Sequence, residues 1–273
     1  MAMALPTKQV ICINWGSKYG PLFINRLFAM VQRNITPPFS FTCFTDSIEG
    51  IRPEVFTEPL PTIDFELPKT RTGIWPKCRL WNAKLGNLEG PVLFLDLDLV
   101  ITGSIDAFFT YGSRDDVILA RNPSNPFEKM GQTSVYRFPV GKLVPLLTHF
   151  ATDPLKIAEK YRYEQRFVTR YAPGGIKFWP QQSVLHFRHH CRRVFPLNYV
   201  ACAKLPESAK IVIFPGDLKP QDAIDGRYHE GDAVRSPREH LALTRRAGRG
   251  RGILAHLRHY ILPTEWVQQH WRE

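Results

Sequence analysis

Two aspartates separated by one leucine, Asp96 and Asp98, follow the apolar run at residues 92–95. A carboxylate beside a buried strand costs several kcal/mol of free energy unless a cation or hydrogen bonds compensate for it. Residues i and i+2 of a strand project to the same side, so the pattern predicts that both carboxylates converge on one cation. Carboxylate oxygens suit Mg²⁺ or Mn²⁺, which commonly bridge a nucleotide diphosphate. The motif therefore predicts a divalent metal site, although such a pair can also cap a loop.

The elements that must position this pair alternate between strands and helices. The continuous apolar run at residues 10–14 predicts a strand that is buried on both faces. Further strands are predicted at residues 39–45 and at residues 92–98, where only the carboxylates interrupt the apolar segment. Between the first two, Pro21 opens a predicted helix that ends near Asn34. The order strand, helix, strand predicts a mostly parallel sheet with helices on its faces. Such sheets bind ligands at the carboxyl ends of their strands, where the two aspartates lie.

Other segments show the same alternation. Further strands are predicted at residues 117–120, 134–138 and 211–214. Further helices are predicted at residues 76–88, 142–151 and 154–171. The apolar face of the first helix is predicted to comprise Leu22, Phe23, Leu27, Met30 and Val31.

Composition narrows the class of protein. In 273 residues, 44% are hydrophobic and 12% are aromatic, which is enough to build a packed core and excludes a wholly disordered chain. The formal net charge of +11 favours an anionic partner. We expect no secretory signal at the amino terminus, and no apolar stretch is long enough to span a bilayer.

Cysteine use indicates a reducing compartment. The five cysteines form no Cys-x-x-Cys pair, and their scattered positions fit neither a disulfide framework nor a zinc ribbon. Cys12 and Cys43 lie inside apolar runs and are interpreted as small buried hydrophobic residues. We therefore expect a cytoplasmic protein.

Residues 92–109 resemble the metal-site segment of bacterial GT-A glycosyltransferases, in particular the lipopolysaccharide sugar transferases of the glycogenin-like group. The similarity extends weakly from the first strand to about residue 225. The resemblance implies an α/β, Rossmann-like GT-A fold with a mixed, mostly parallel sheet over residues 1–225. It further implies a Mn²⁺- or Mg²⁺-dependent transfer, retaining in stereochemistry, of a sugar from a UDP-linked donor to a cell-envelope glycan or lipopolysaccharide.

The same resemblance assigns roles to individual residues. Asn14 and Tyr19 fall where these proteins hold the nucleotide base, and Arg79, with Lys77 beside it, falls where they place a basic residue on the donor. Residues 132–138 resemble a sugar-contacting segment that has Asn where this chain has Gln132. The remaining matches are Glu164 and Gln165 beside the reacting carbon, and Gly216 and Lys219 of a phosphate-binding loop. Glu164 and Gln165 are thus the candidate catalytic residues, and Asp96 and Asp98 the metal ligands.

One position departs from the family. These enzymes place a metal-binding His three residues before the glycine of that loop, where this chain has Ile213. The third protein ligand is therefore either missing or supplied by Asp217, His186 or His229.

The carboxyl-terminal segment differs in amino-acid composition from the rest of the chain. Residues 226–273 are predicted to form a basic, partly helical extension, with seven arginines and one acid between residues 235 and 258. Residues 247–252 are interpreted as a flexible Gly-Arg run. Ile253, Leu254, Leu257, Tyr260 and Ile261 space as one helix face, and Trp266 and Trp271 follow. This composition favours an anionic membrane surface, the inner face of a bacterial plasma membrane, over nucleic acid. A solvated tail with a docking helix is the alternative.

Two other functions remain open at this point. The sequence from Asp96 to Val100 also fits the nucleophile motif of haloacid-dehalogenase phosphohydrolases, although that fold normally begins at the motif. A non-catalytic binder of anionic polymers would use the arginine-rich tail instead. The sequence does not predict the donor sugar, the linkage or the oligomeric state.

Overall fold

The chain folds into two units, each containing a sheet, in a computed structural model that describes residues 7–68, 74–124, 127–246 and 251–273. The first unit comprises Met1–Leu97 and Ser104–Gln181. The second comprises Asp98–Gly103 and Gln182–Glu273. The chain therefore passes from one unit to the other between the two aspartates.

The first unit contains a seven-stranded sheet and the helices that cover it. Its strands are β1 (Lys8–Asn14), β2 (Phe39–Thr45), β3 (Phe56–Pro59), β4 (Pro91–Leu95), β6 (Ile118–Arg121), β7 (Gly131–Pro139) and β8 (Lys177–Phe178), with β5 in the other unit. Its α-helices are α1 (Pro21–Asn34), α2 (Ala107–Thr110), α3 (Val144–Ala151), α4 (Pro154–Tyr161) and α5 (Glu164–Tyr171), and a 3-10 helix spans Trp75–Trp81.

The strand order β3-β2-β1-β4-β7-β6-β8 confirms the predicted sheet. Strands β3, β2, β1 and β4 run parallel, β7 is antiparallel to β4 and to β6, and β8 is parallel to β6. Helix α1 joins β1 to β2 with the predicted bounds. Because β1 and β4 are parallel neighbours, their carboxyl ends lie at the same edge.

The predicted face of α1 is partly wrong. Leu22 is 45% exposed, and the buried face instead includes Ile24 and Phe28 beside Leu27 and Val31. Spacing alone could not choose between two overlapping apolar stripes on this helix, since apolar residues cover more than one side of it.

Two predicted helices are also corrected. The helix expected at residues 76–88 is a 3-10 helix that ends at Trp81, because Asn82 is extended and Gly86 turns with φ 55°. The helix expected at residues 154–171 is broken at Arg162, whose φ of 53° lies outside the helical region. A new helix, α5, therefore begins at Glu164.

The second unit contains a small sheet with the order β5-β10-β9. Its strands are β5 (Val100–Ile101), β9 (Val184–His186) and β10 (Ile211–Ile213), and its α-helices are α6 (Pro220–Asp225), α7 (Pro237–Ala242), α8 (Arg251–Arg258) and α9 (Glu265–His270). Among the described residues, no helix is long and apolar enough to cross a bilayer.

The carboxyl-terminal segment packs within this second unit. Tyr260, Ile261, Val267 and Trp271 are buried, and the Thr264 amide donates to the Ala223 carbonyl at 2.9 Å. The predicted single face is therefore wrong in part, since α8 ends at Arg258 and both Ile261 and Trp271 are covered by protein. Within the predicted Gly-Arg run, residues 247–250 lie outside the described part of the chain.

Candidate functional site

The first aspartate of the motif lies one residue beyond a strand. Strand β4 ends at Leu95, and the Asp96 amide continues its pairing with β7 by donating to the Ser134 carbonyl at 2.9 Å. The argument that Asp96 and Asp98 share a strand face is therefore wrong, because neither residue belongs to β4. The placement at the carboxyl edge of the sheet holds for Asp96, and Asn14 ends the neighbouring strand at that edge.

A buried lysine faces Asp96. The 3-10 helix brings Lys77 Nζ to 2.6 Å from Asp96 Oδ1, and the side chains are 3% and 18% exposed. The contact is an ion pair without hydrogen-bond geometry. The ammonium also lies 4.9 Å from the centre of the Phe94 ring, which offers further stabilisation to a buried cation. Lys77 therefore neutralises Asp96 from within the protein.

A second carboxylate completes this buried cluster. Helix α5 begins at Glu164, which is 1% exposed and accepts a short hydrogen bond from the Thr133 hydroxyl at Oε1. Its Oε2 is buried and has no hydrogen-bond partner among the described residues. Burial raises the pKa of Glu164, while Lys77 and Thr133 oppose the rise and Asp96 adds to it. The Lys77 ammonium is thus the counter-ion of both Asp96 and Glu164. These three side chains therefore carry a net negative charge when Glu164 is ionised.

We predict that Glu164→Gln stabilises the protein at high pH. Because folding raises the pKa above its ordinary value of 4.5, the penalty for burying the charge is full above the raised pKa and vanishes as the pH falls below 4.5. The variant should melt above the wild type at pH 8, and the gap should close towards pH 4. Glu159→Gln, an exposed change on α4, is the control and should show no such pH dependence. A gap that widens towards low pH would contradict the prediction.

The other residues of this unit that were predicted to bind the sugar donor differ in their contacts. Gln132 is buried, with its Nε2 2.6 Å from Ser134 Oγ and its Oε1 accepting from the Ser134 amide at 2.6 Å. Arg79 is half-buried and donates to the Pro61 carbonyl at 2.7 Å. Asn14 is 5% exposed, and its Oδ1 lacks a hydrogen-bond partner in the described part of the chain. The structure therefore brings Lys77, Asp96 and Glu164 together and leaves Arg79 on a separate backbone contact.

Two further candidates are less constrained. Tyr19 is half-buried and packs edge-on against Phe23 with the ring centres 5.0 Å apart. Gln165 is half-buried in the first turn of α5, where its carbonyl accepts from the Thr169 hydroxyl at 2.6 Å. Both side chains lie close in sequence to buried site residues, Asn14 and Glu164.

The second aspartate pairs with a different lysine, within the second unit. Lys219 Nζ donates to Asp98 Oδ2 at 2.6 Å and lies 3.4 Å from the Gly216 carbonyl oxygen. The Asp98 and Lys219 side chains are 15% and 9% exposed. Gly216 adopts φ 92°, which favours glycine, and no atom would touch a Cβ added there. The loop predicted to bind phosphate therefore places its lysine on the second of the two aspartates that were predicted to bind metal.

The position of the family's third ligand is part of the core. Ile213 is 2% exposed in β10. Of the proposed substitutes, Asp217 Oδ2 lies 2.7 Å from His229 Nδ1 and its Oδ1 accepts from Arg188 at 2.9 Å. Burial, followed by the nearby His189, lowers the pKa of His186 to about 3. No group of three His, Cys, Asp or Glu side chains suited to a metal occurs in the described residues.

These contacts define which metal site the residues fit. Mg²⁺ is usually held by one or two protein carboxylates, with substrate phosphates and water completing its shell. Asp96 and Asp98 supply two carboxylates of that kind, each paired with a lysine through one identified oxygen. Each carboxylate is therefore of the kind that suits a hard divalent ion whose shell a diphosphate completes.

Sequence reasoning missed two residues of the first unit. Thr133 binds Glu164, and Ser134 binds both Gln132 and the Asp96 amide. The available signal was the run of three consecutive polar residues, 132–134, near the start of strand β7. A polar side chain buried in a strand is normally hydrogen-bonded, which marks such a run as part of a site.

Comparison with solved structures identifies the fold. A galactosyltransferase, LgtC, solved in complex with donor and acceptor sugar analogues, matches with a TM-score of 0.52 at 10% identity, covering 91% of this chain and 99% of LgtC. The bifunctional glycosyltransferase WbbM matches with a TM-score of 0.53 at 10% identity, covering 78% of this chain and 46% of WbbM. The chain has the GT-A glycosyltransferase fold.

A third similar structure is that of the glycosyltransferase GlyE of Streptococcus pneumoniae TIGR4 in its apo form. It matches with a TM-score of 0.52 at 12% identity, covering 86% of this chain and 59% of GlyE. This chain therefore spans nearly all of LgtC but only part of the other two proteins. No protein-family model matches the sequence, and no curated protein matches it.

Proposed function

We propose that this protein transfers a sugar from a nucleotide diphosphate sugar to a glycan acceptor. The observation that carries the proposal is that the two aspartates after β4 are both partly buried and each paired with a lysine, in a GT-A fold. Burying these charged side chains costs free energy that their ion pairs offset only in part. A site for an anionic donor and its cation accounts for both the aspartates and the lysines.

Asp96 and Asp98 hold one Mn²⁺ or Mg²⁺ ion in this proposal. Bound there, such an ion would supply positive charge against the donor diphosphate. Lys77 is buried and acts on the donor through Asp96, whose carboxylate it fixes at 2.6 Å. Lys219 pairs with Asp98 at 2.6 Å and is the closer candidate for direct contact with phosphate.

The nucleotide lies at the carboxyl edge of the sheet. The buried Oδ1 of Asn14, which has no hydrogen-bond partner among the described residues, can accept from a ribose hydroxyl or a base amine. Tyr19 follows on the loop after β1 and supplies an aromatic surface for the base. The nucleotide is uridine by resemblance. Arg79, Gly216 and Lys219 are assigned to the diphosphate on the same grounds.

The sugar lies against the residues around Glu164. Gln132 and Gln165 offer amides that orient hydroxyl groups, and a neutral amide beside the anomeric carbon stabilises developing charge without acting as a strong base. Glu164, fixed by Thr133 at one oxygen, has its other oxygen for a donor hydroxyl. Retaining transfer, which the resemblance implies, would let an oxygen of the departing phosphate accept the proton of the acceptor hydroxyl.

UDP should stabilise the protein more in the presence of Mn²⁺ than in EDTA. We expect a small rise of the melting temperature with UDP alone, a larger rise with both, and little effect of Mn²⁺ alone, because each aspartate is already neutralised by a lysine. Thermal shift across a panel of nucleotide sugars, followed by metal-dependent hydrolysis of each, checks this expectation. Equal shifts with and without EDTA would contradict a metal that bridges the diphosphate.

The acceptor is proposed to belong to the bacterial cell envelope, as a lipopolysaccharide or related glycan reached at the inner face of the plasma membrane. Arginines between residues 235 and 258 supply attraction to acidic lipid, on the order of 1 kcal/mol each near the surface. Ile261 and Trp271 cannot add insertion energy, because both are buried in the second unit.

The phosphohydrolase alternative loses its support. It requires a fold that begins at the aspartate motif, whereas β1, β2 and β3 precede Asp96 in the chain and share its sheet. The GT-A fold also accounts for the motif without a nucleophilic role for Asp96.

A further inference from the structure

A loop of the second unit exposes apolar side chains that the transfer reaction does not explain. Residues 192–203, here called the apolar loop, contain four large hydrophobic residues that face solvent. These are Val194, Phe195, Leu197 and Val200, which are 71%, 40%, 50% and 78% exposed. Four such residues within seven positions form a patch, in contrast to the scattered exposure that is common on protein surfaces.

The loop is closed and anchored to its own unit. The Lys204 amide donates to the Cys191 carbonyl at 2.8 Å, and Arg193 Nε donates to the Cys202 carbonyl at 3.2 Å, so the two ends of the loop are tied together. Asn198 is 1% exposed and donates through Nδ2 to the carbonyls of Leu257 and Tyr260, each at 3.0 Å. The apolar side chains are thus displayed by a fixed backbone.

The apolar loop buries polar side chains and exposes apolar ones. Its amide side chain, Asn198, points into the protein, and the hydroxyl of Tyr199 is 2.8 Å from His240 Nδ1 while the Tyr199 ring stacks on Tyr260. The aliphatic residues Leu197 and Val200, on either side, point out. Folding in water favours the opposite arrangement, since exposing apolar surface forfeits about 25 cal/mol for each Å².

The charged residues near the loop indicate what kind of surface the loop would bind. Residues 192–206 contain Arg192, Arg193 and Lys204 and no acidic residue, whereas Arg188, upstream of the loop, is paired with Asp217 at 2.9 Å. Next to the loop, α8 ends at Arg258, whose carbonyl accepts from Arg192 at 3.0 Å. Apolar side chains rimmed by cations match an interface of acidic headgroups above acyl chains.

We propose that the apolar loop inserts into the interfacial region of a bilayer that contains acidic lipids. Insertion supplies an apolar contribution that salt does not screen, while the flanking cations supply one that salt weakens. The proposal is independent of the donor, the metal and the reaction, because the loop contains none of the residues assigned to them.

The test is sedimentation of the full chain with vesicles of phosphatidylcholine alone and of phosphatidylcholine mixed with phosphatidylglycerol. The triple variant Val194→Ser, Leu197→Ser, Val200→Ser should lose about tenfold or more in affinity for the acidic vesicles. The matched control changes three exposed apolar residues of the first unit, Ile48→Ser, Phe56→Ser and Leu155→Ser, and should bind like the wild type. Melting curves and hydrolysis of the donor should be unchanged by the loop variant.

Three outcomes would overturn the proposal. Full-length protein that ignores acidic vesicles has no such surface, and a loop variant that binds like the wild type places the contact elsewhere. A wild type that is dimeric in light scattering, with a monomeric loop variant, would show that a second copy covers the loop. Failure of donor hydrolysis would leave the vesicle result standing, so the two proposals fail separately.

Discussion

Asp98→Ala should reduce sugar transfer by about a thousandfold or more, which is the scale set by removing a group that stabilises charge in a transition state. Asp98 is one of two proposed metal ligands and the ion-pair partner of Lys219 at 2.6 Å. The change therefore removes a ligand and also leaves the Lys219 ammonium, 9% exposed, without its carboxylate. We expect a lower melting temperature as well as lost activity, measured by donor hydrolysis and thermal denaturation.

Two further variants separate the roles of Asp98. Asp98→Asn keeps an oxygen acceptor for Lys219 but removes the charge, so it should recover much of the stability and little of the activity. Asp115→Ala, an exposed change in the first unit, should alter neither. If the Asp98→Ala variant transfers sugar at a near wild-type rate, the proposed metal site is wrong, whatever the stability of the variant.

Ending the chain after Ala233 should prevent the second unit from folding. The deletion removes Tyr260, Ile261, Val267 and Trp271, which are 3%, 3%, 0% and 3% exposed. Burying each such side chain contributes about 1.5–3 kcal/mol, so together they contribute about 6–12 kcal/mol as an upper limit. Typical domains are stable by only about 5–15 kcal/mol. This expectation replaces the view of the segment as a detachable tail.

Soluble yield, far-ultraviolet circular dichroism and limited proteolysis measure the outcome. A chain that ends after Trp271 is the control, because it loses only the exposed Arg272 and Glu273. Cleavage that spares the first unit and degrades residues 182–233 would locate the damage. A truncated protein as soluble and as resistant as the control would show that the packing of α9 is dispensable.

The central strands of the sheet were predictable because they are largely buried, whereas the more exposed edge strands β3 and β8 were not predicted. Strands β1 and β4 contain continuous apolar segments at residues 10–13 and 92–95, which are typical of a central strand. The break at Arg162 was not predictable, since the residues of α4 and α5 form one uninterrupted helical pattern. Only the tertiary position of Glu164 reveals why a second helix starts there.

Candidate site residues could be named from the sequence, but the contacts between them could not. Asp96 and Lys77 were both singled out, but their ion pair joins residues 19 positions apart in the sequence and depends on a 3-10 helix that was expected to be an α-helix. Lys219 and Asp98 are 121 positions apart. Pairing over such distances follows from the topology of the chain and leaves no trace in local spacing.

Because four of the five cysteines are buried, the rate at which each reacts with a thiol reagent reports how often the structure around it opens. Cys12, Cys43 and Cys78 are buried in the first unit and Cys191 is buried in the second, whereas Cys202 is exposed. Burial raises the pKa of both Cys78 and Cys191 to about 12, which keeps these thiols unreactive while the structure is closed. An alkylating reagent marks Cys202 at once and the others only when the surrounding unit opens. Mapping the modified peptides over time would therefore resolve the fluctuations of the two units separately in the native protein, without any substitution.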